Sequence, residues 1–206
     1  MKKSIIAIIA VGAACAAAAG LGGCKSCDGD KPVSGYGKLQ GLLSKNYSQI
    51  VLTVTDKFDE DTSLVSKYTL AYGDSDVTVT YSIEEFSSLS IDSADAQFKT
   101  VKNGSAVIKD GVVVQITGDS AELPSTEVIS AGGMTFNEEY FSDTSISDVA
   151  FKANVINPSG FFGRDVVCSD MKINAIFGDF LAEMEITYKA ESGQSVEYVY
   201  EFTAKL

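Results

Sequence analysis

Between residues 77 and 83 the chain alternates strictly: Val77, Val79, Tyr81 and Ile83 are apolar, while Thr78, Thr80 and Ser82 carry hydroxyls. Successive side chains of a strand point to opposite faces, so this pattern predicts a strand with one buried and one solvated face. The segments around it have the same character. Ser48–Lys57 is rich in β-branched residues, and Leu64–Tyr72 runs into the turn Gly73-Asp74-Ser75-Asp76. Ser105–Lys109 and Val112–Thr117 flank Asp110-Gly111, the strongest hairpin signal in the chain, and Asn103-Gly104 marks a further turn. Met171–Phe177, Phe180–Lys189 and Ser195–Thr203 are predicted strands separated by Gly178-Asp179 and Glu191-Ser192-Gly193-Gln194. Strands joined this tightly are antiparallel, because a parallel pair needs a crossover of a dozen or more residues. The expected fold is therefore mainly β: a curved antiparallel sheet, either an open half-barrel or a sandwich, with one or two short helices.

The remaining elements are shorter. Leu39, Leu42 and Leu43 stand at helical spacing before Tyr47 and predict one helix. Glu138 to Phe141 reads as a helical turn, Phe151–Ile156 as a strand and Asn157–Gly163 as an exposed loop. Tyr68–Tyr72 with Val77–Tyr81 echoes Glu185–Tyr188 with Val196–Tyr200, which is either a weak internal repeat or convergent strand patterning.

Residues 1–23 have the parts of a secretory leader: Lys2 and Lys3, an apolar run from Ile5 to Ala19, then small residues. The run ends in Leu21-Gly22-Gly23-Cys24, which resembles the lipobox of bacterial lipoproteins. That resemblance implies cleavage between Gly23 and Cys24 and acylation of the Cys24 sulfur. More than one acyl chain gives durable attachment where a single chain is marginal. An uncleaved membrane-spanning helix is the rival reading of the run, but it is Ala-rich and near the lower limit of length. Cys15 is a poor lipobox cysteine, because Gly12 stands where an aliphatic residue is expected. Residues 24–35 form a polar tether, and 36–206 a single β-rich domain. Lys25 follows the cysteine; in the lipobox family an Asp there retains the protein at an inner membrane, so outer-membrane sorting is permitted where such a membrane exists. The expected location is extracytoplasmic, lipid-anchored to the cell membrane.

Composition closes several routes. The chain has no histidine, which excludes Ser-His-Asp and Cys-His catalysis, His-ligated zinc and an imidazole pH switch. A formal charge of −12, or −14 once Lys2 and Lys3 leave with the leader, disfavours nucleic acid and basic-patch docking on anionic lipid. Cys24-Lys25-Ser26-Cys27 has the CxxC spacing without a surrounding βαβ pattern, so a redox role is rejected. Cys27 and Cys168 are then either a disulfide or two thiols. Asp56, Asp59, Glu60 and Asp61 lack the alternation of a calcium loop and read as a solvated turn, as do Asp92 and Asp95. Gly35-Tyr36-Gly37 is no phosphate loop, since neither a preceding strand nor a following GKS/T is present. No catalytic residue, metal ligand or cofactor is assigned, and the chain is expected not to be an enzyme.

In order of elements, the chain is similar to the LolA-like group of lipoprotein carriers and related lipoproteins: anchor, tether, short helix, meander, Asp-Gly hairpin, closing meander. The resemblance implies a half-barrel whose hollow side, covered by short helices, holds acyl chains. The expected function is a non-enzymatic cell-envelope lipoprotein binding a lipid-like or other apolar ligand on the concave sheet face. Tyr68, Leu70, Tyr72, Val79, Tyr81, Ile186 and Tyr188 are the candidate ligand face, although an ordinary core would use the same residues. The alternative is a surface interaction or assembly module with a filled core and a protein partner. Phe161 and Phe162, adjacent in the Pro/Gly segment 157–163, are its candidate contact residues unless that loop folds back over the core.

Overall fold

Strand β1 (Tyr47–Lys57) and strand β10 (Ser195–Ala204) lie side by side, antiparallel, from Gln49 opposite Thr203 to Lys57 opposite Ser195. This central pair joins two meanders. The computed structural model describes residues 35–59, 62–87, 97–110, 112–118 and 124–205. The expected leader 1–23 with Gly23, the expected lipid-attachment residue Cys24, the expected tether residues Lys25 and Cys27, and Glu60, Asp61, Asp92, Asp95 and Gly111 lie outside them.

The first meander continues through β2 (Thr62–Tyr72), β3 (Asp76–Ser87), β4 (Gln97–Lys109) and β5 (Val112–Gly118). The second comprises β6 (Phe141–Ile146), β7 (Ala150–Val155), β8 (Cys168–Phe177) and β9 (Leu181–Ala190), and ends in β10. All ten strands form one open sheet in the order β5-β4-β3-β2-β1-β10-β9-β8-β7-β6, every neighbouring pair antiparallel. The curved antiparallel sheet is thus present as a single unclosed layer. A sandwich would need a second sheet, and the β1–β10 pairing uses the strands that would have begun and ended one.

Three short helices cover one face, where one or two were expected: α1 (Gly35–Leu43), α2 (Thr126–Ile129) and α3 (Pro158–Phe162). Leu39 and Leu42 of α1 are buried, as their spacing requires. Gln40 ties this helix to the segment after α2, donating to the Met134 carbonyl at 3.4 Å and accepting from the Phe136 amide at 2.8 Å. Under α1 and α3, Phe136, Phe141, Phe151 and Phe161 pack ring against ring at centroid separations of 5.4–5.8 Å. Such offset and edge-on pairs add to the stabilisation from burying their area.

Three sequence expectations are corrected. Asn103-Gly104 is no turn but lies within β4, where Gly104 faces Tyr81. A Cβ at 104 would stand 2.7 Å from the Tyr81 ring and 2.6 Å from the Thr117 carbonyl, so the glycine serves close approach. Asn157–Gly163 is helical, with Asn157 Oδ1 accepting from the Gly160 amide at 2.9 Å and Gly163 closing the helix at φ 64°. Phe141 belongs to β6; the expected helical turn is a 3-10 turn over Glu138–Tyr140 only. The echoing hairpins are β2–β3 and β9–β10, which lie on the two sides of β1 in the sheet.

Candidate ligand cleft on the concave face

The candidate ligand face does fall on one side of the sheet. Tyr68 stands opposite Tyr81, Leu70 opposite Val79, and Tyr68 also opposite Leu52 of β1. The row crosses the centre through Leu52 opposite Tyr200, and the next row through Val54, Tyr198 and Ile186. Register therefore places both halves of the set on the helix-covered side. Most of them are core. Tyr68, Leu70, Val79, Tyr81 and Ile186 are buried, whereas Tyr72 and Tyr188 are half-buried. Tyr200, wholly buried beneath α2, fills the middle, and its hydroxyl donates to the Val128 carbonyl at 3.0 Å.

Phe161 and Phe162 are buried too, at 0% and 7% exposure. Helix α3 turns both rings inward, Phe161 into the phenylalanine cluster and Phe162 against Tyr198. The segment caps the core and presents neither ring as a contact residue, which corrects that expectation.

What stays open is a cleft of about 670 Å³ at the end of the sheet where β2 turns into β3. Its floor is Leu70, Tyr72, Val77 and Ile108, and α2 with its following turn (Thr126, Glu127, Ser130, Gly132) forms one wall. A second hollow of about 470 Å³ shares Tyr72, Gly73, Ser130 and Gly132 with it and reaches Tyr47 and Ile50. The Tyr72 hydroxyl is held by the Ser130 side chain, and burial pushes the phenol above its ordinary range against that bond. Asp74, Asp76, Asp110 and Glu127 stand around the mouth. Lys205 reaches Asp74 at 4.0 Å, and Lys109 lies opposite Asp76 in the β3–β4 register. Carboxylates still outnumber these two lysines, so the mouth is acidic above an apolar floor.

The opposite end of the same face is closed by tyrosines. The Tyr188 hydroxyl donates to that of Tyr198 at 3.2 Å, their rings edge to face. Burial, then the Tyr198 bond, raises the Tyr188 phenol. Burial likewise raises the carboxyl of Asp56 and the half-buried thiol of Cys168. Cys27, which the sequence leaves either paired with Cys168 or a second thiol, is outside the described residues. Among the described residues no group of three or more acidic, Cys or His side chains is placed to hold a metal, and no helix is long and apolar enough to cross a membrane.

Sequence reasoning reached Leu70 and Tyr72 but missed Val77, Ile108 and the α2 wall. The signal for α2 was Ser125 after Pro124: the Ser125 hydroxyl accepts from the Val128 amide at 3.3 Å, an N-cap. No family model matches the chain, and a search of curated proteins finds no match either.

Proposed function

We propose that this chain is a non-enzymatic lipoprotein of the cell envelope, anchored through Cys24, that binds a lipid-like molecule in the cleft floored by Leu70, Tyr72, Val77 and Ile108. The observation that carries the reading is that cleft: about 670 Å³, continuous with the neighbouring hollow through Tyr72 and Ser130, with an apolar floor. Its likeness in element order to the LolA-like carriers supports the same role. The acidic mouth adds a choice of head group. Asp74, Asp76, Asp110 and Glu127 repel a carboxylate and attract a cation, so an apolar tail with a neutral or cationic head fits and a fatty acid does not.

Native mass spectrometry of the protein extracted from its own membrane tests the reading. A co-purifying lipid supports it; a bare protein that also fails to bind dodecyltrimethylammonium in titration removes it. Dodecanoate is the matched probe of opposite charge and is expected to bind more weakly. The interaction-module reading draws support from the centre of the face, where Tyr200, Met184 and Ile186 are wholly buried.

A further inference from the structure

One end of the sheet carries the turns β2–β3, β4–β5, β6–β7 and β8–β9 together with the start of β1. Register fixes this: Ala150 lies opposite Ile176, Phe177 opposite Leu181, Glu183 opposite Glu201, Tyr47 opposite Ala204 and Gln49 opposite Ala71. Helix α1 runs along that end from the β6 edge towards the centre. Tyr36 donates to the Thr144 hydroxyl at 3.0 Å, Lys38 to the Asp148 carbonyl at 3.0 Å, and Lys45, just past the helix, to the Asp179 carbonyl. Gly35, where the described chain begins, packs on Ile146. The cleft opens at the same end, between the β2–β3 turn and α2.

Around the start of α1 the surface is aliphatic, with lysines beside it. Ile146, Val149 and Ile176 are exposed, at 41%, 60% and 46%. The Val149 carbonyl accepts from the Phe177 amide at 2.9 Å, which makes Val149 a neighbour of Ile176. Lys38 Nζ lies 4.9 Å from the centre of the Phe177 ring, and Lys45 Nζ 4.5 Å from that of Phe180. Aliphatic tips, aromatic rings and lysines lying over those rings suit the boundary between acyl chains and head groups. Phe58, Ile156 and Val167 are exposed at the opposite end, so exposure alone does not choose between the two ends. The attachment does.

We infer that the α1 end of the sheet rests on the bilayer that holds Cys24, with Ile146, Val149 and Ile176 set into its interface and the cleft opening towards it. The inference rests on the proposed anchoring and adds the surface that meets the membrane. Eleven residue steps lead from Cys24 to Gly35, at most about 40 Å at full extension. Strand β1 is 11 residues long, about 35 Å at roughly 3.4 Å per residue. The far end of the sheet therefore meets that bilayer only with the tether almost straight, whereas the α1 end meets it at any extension. Asp74, Asp76 and Asp110 stand at the same end and repel anionic head groups, so the contact is with zwitterionic lipid. A lipid-like ligand then reaches the floor of Leu70 and Val77 from the membrane side.

The chain has no tryptophan, so one introduced indole reports alone under selective excitation. Val149→Trp, Ile176→Trp and, in the β9–β10 turn at the far end, Ser192→Trp are each purified with the anchor. They are reconstituted in phosphatidylcholine vesicles with and without brominated acyl chains. All three positions are exposed, and an unchanged far-ultraviolet spectrum checks the fold. Val149→Trp and Ile176→Trp are expected to lose emission to the bromine, and Ser192→Trp to keep it. The indole at the far end controls for the affinity of tryptophan itself for the interface. Equal quenching at both ends, quenching of Ser192→Trp alone, or none in protein that floats with the vesicles overturns the inference and leaves the anchor standing. Protein that does not float with the vesicles removes the anchor, and the inference with it.

Discussion

The Tyr200 hydroxyl donates to the Val128 carbonyl at 3.0 Å, so β10, the last strand in the chain and a central one in the sheet, holds α2 in place above it. Helix α2 is a single turn, and one turn has little stability of its own. Its position over the cleft therefore depends on such tertiary bonds and on Ile129, which is fully buried.

Tyr200→Phe keeps the ring and removes the bond. The Val128 carbonyl retains the Ala131 amide at 3.3 Å, so the loss is expected at about 1 kcal/mol. Thermal melting reads the stability, and faster exchange of the amides in 126–132 shows that α2 has loosened. Unchanged exchange there would mean the bond does not hold the helix.

Asp56 gives a pH-dependent test. Burial raises its carboxyl above the ordinary 3.8. A group raised in the folded state contributes stability below its unfolded pKa and loses it as pH rises through the folded one. The ionised form therefore costs stability at neutral pH. Asp56→Asn is expected to melt higher than the parent near pH 7, and the gap to close near pH 3; a constant gap would point to packing instead.

Gly104→Ala tests the close approach in β4. The added methyl meets the Thr117 carbonyl and the Tyr81 ring, neither able to retreat freely inside the sheet. Overpacking of this kind costs roughly 1–3 kcal/mol, read as a lower urea midpoint. Ala at Gly41, where nothing lies within 4 Å of the added carbon, is the control and should leave the midpoint level or higher.

The β-strands were legible because period-2 alternation and tight turns are local. Val77 to Ile83 announce their face without help from any other segment, and every proposed ligand-face residue fell on the same side. Order across the sheet was not local. Nothing in Tyr47–Lys57 says that it pairs with Ser195–Ala204, because that contact is fixed by long-range register. Asn103-Gly104 misled for a related reason: glycine signals both turns and close approaches, and only Tyr81 on the next strand distinguishes them. The cleft was half legible. Leu70 and Tyr72 carry the strand pattern, whereas the α2 wall arises from a one-turn helix too short for periodicity to mark.

The Ser48 hydroxyl donates to the carbonyl of Ala204, 156 positions further on, and the whole β1–β10 seam is of this kind. During synthesis β1 emerges early and waits for a partner that is translated near the end. Until then its inner edge is an unpaired hydrophobic strand beside β2, a target for chaperones and for wrong partners alike. Such non-local closure puts this chain among slow folders, on millisecond-to-second timescales.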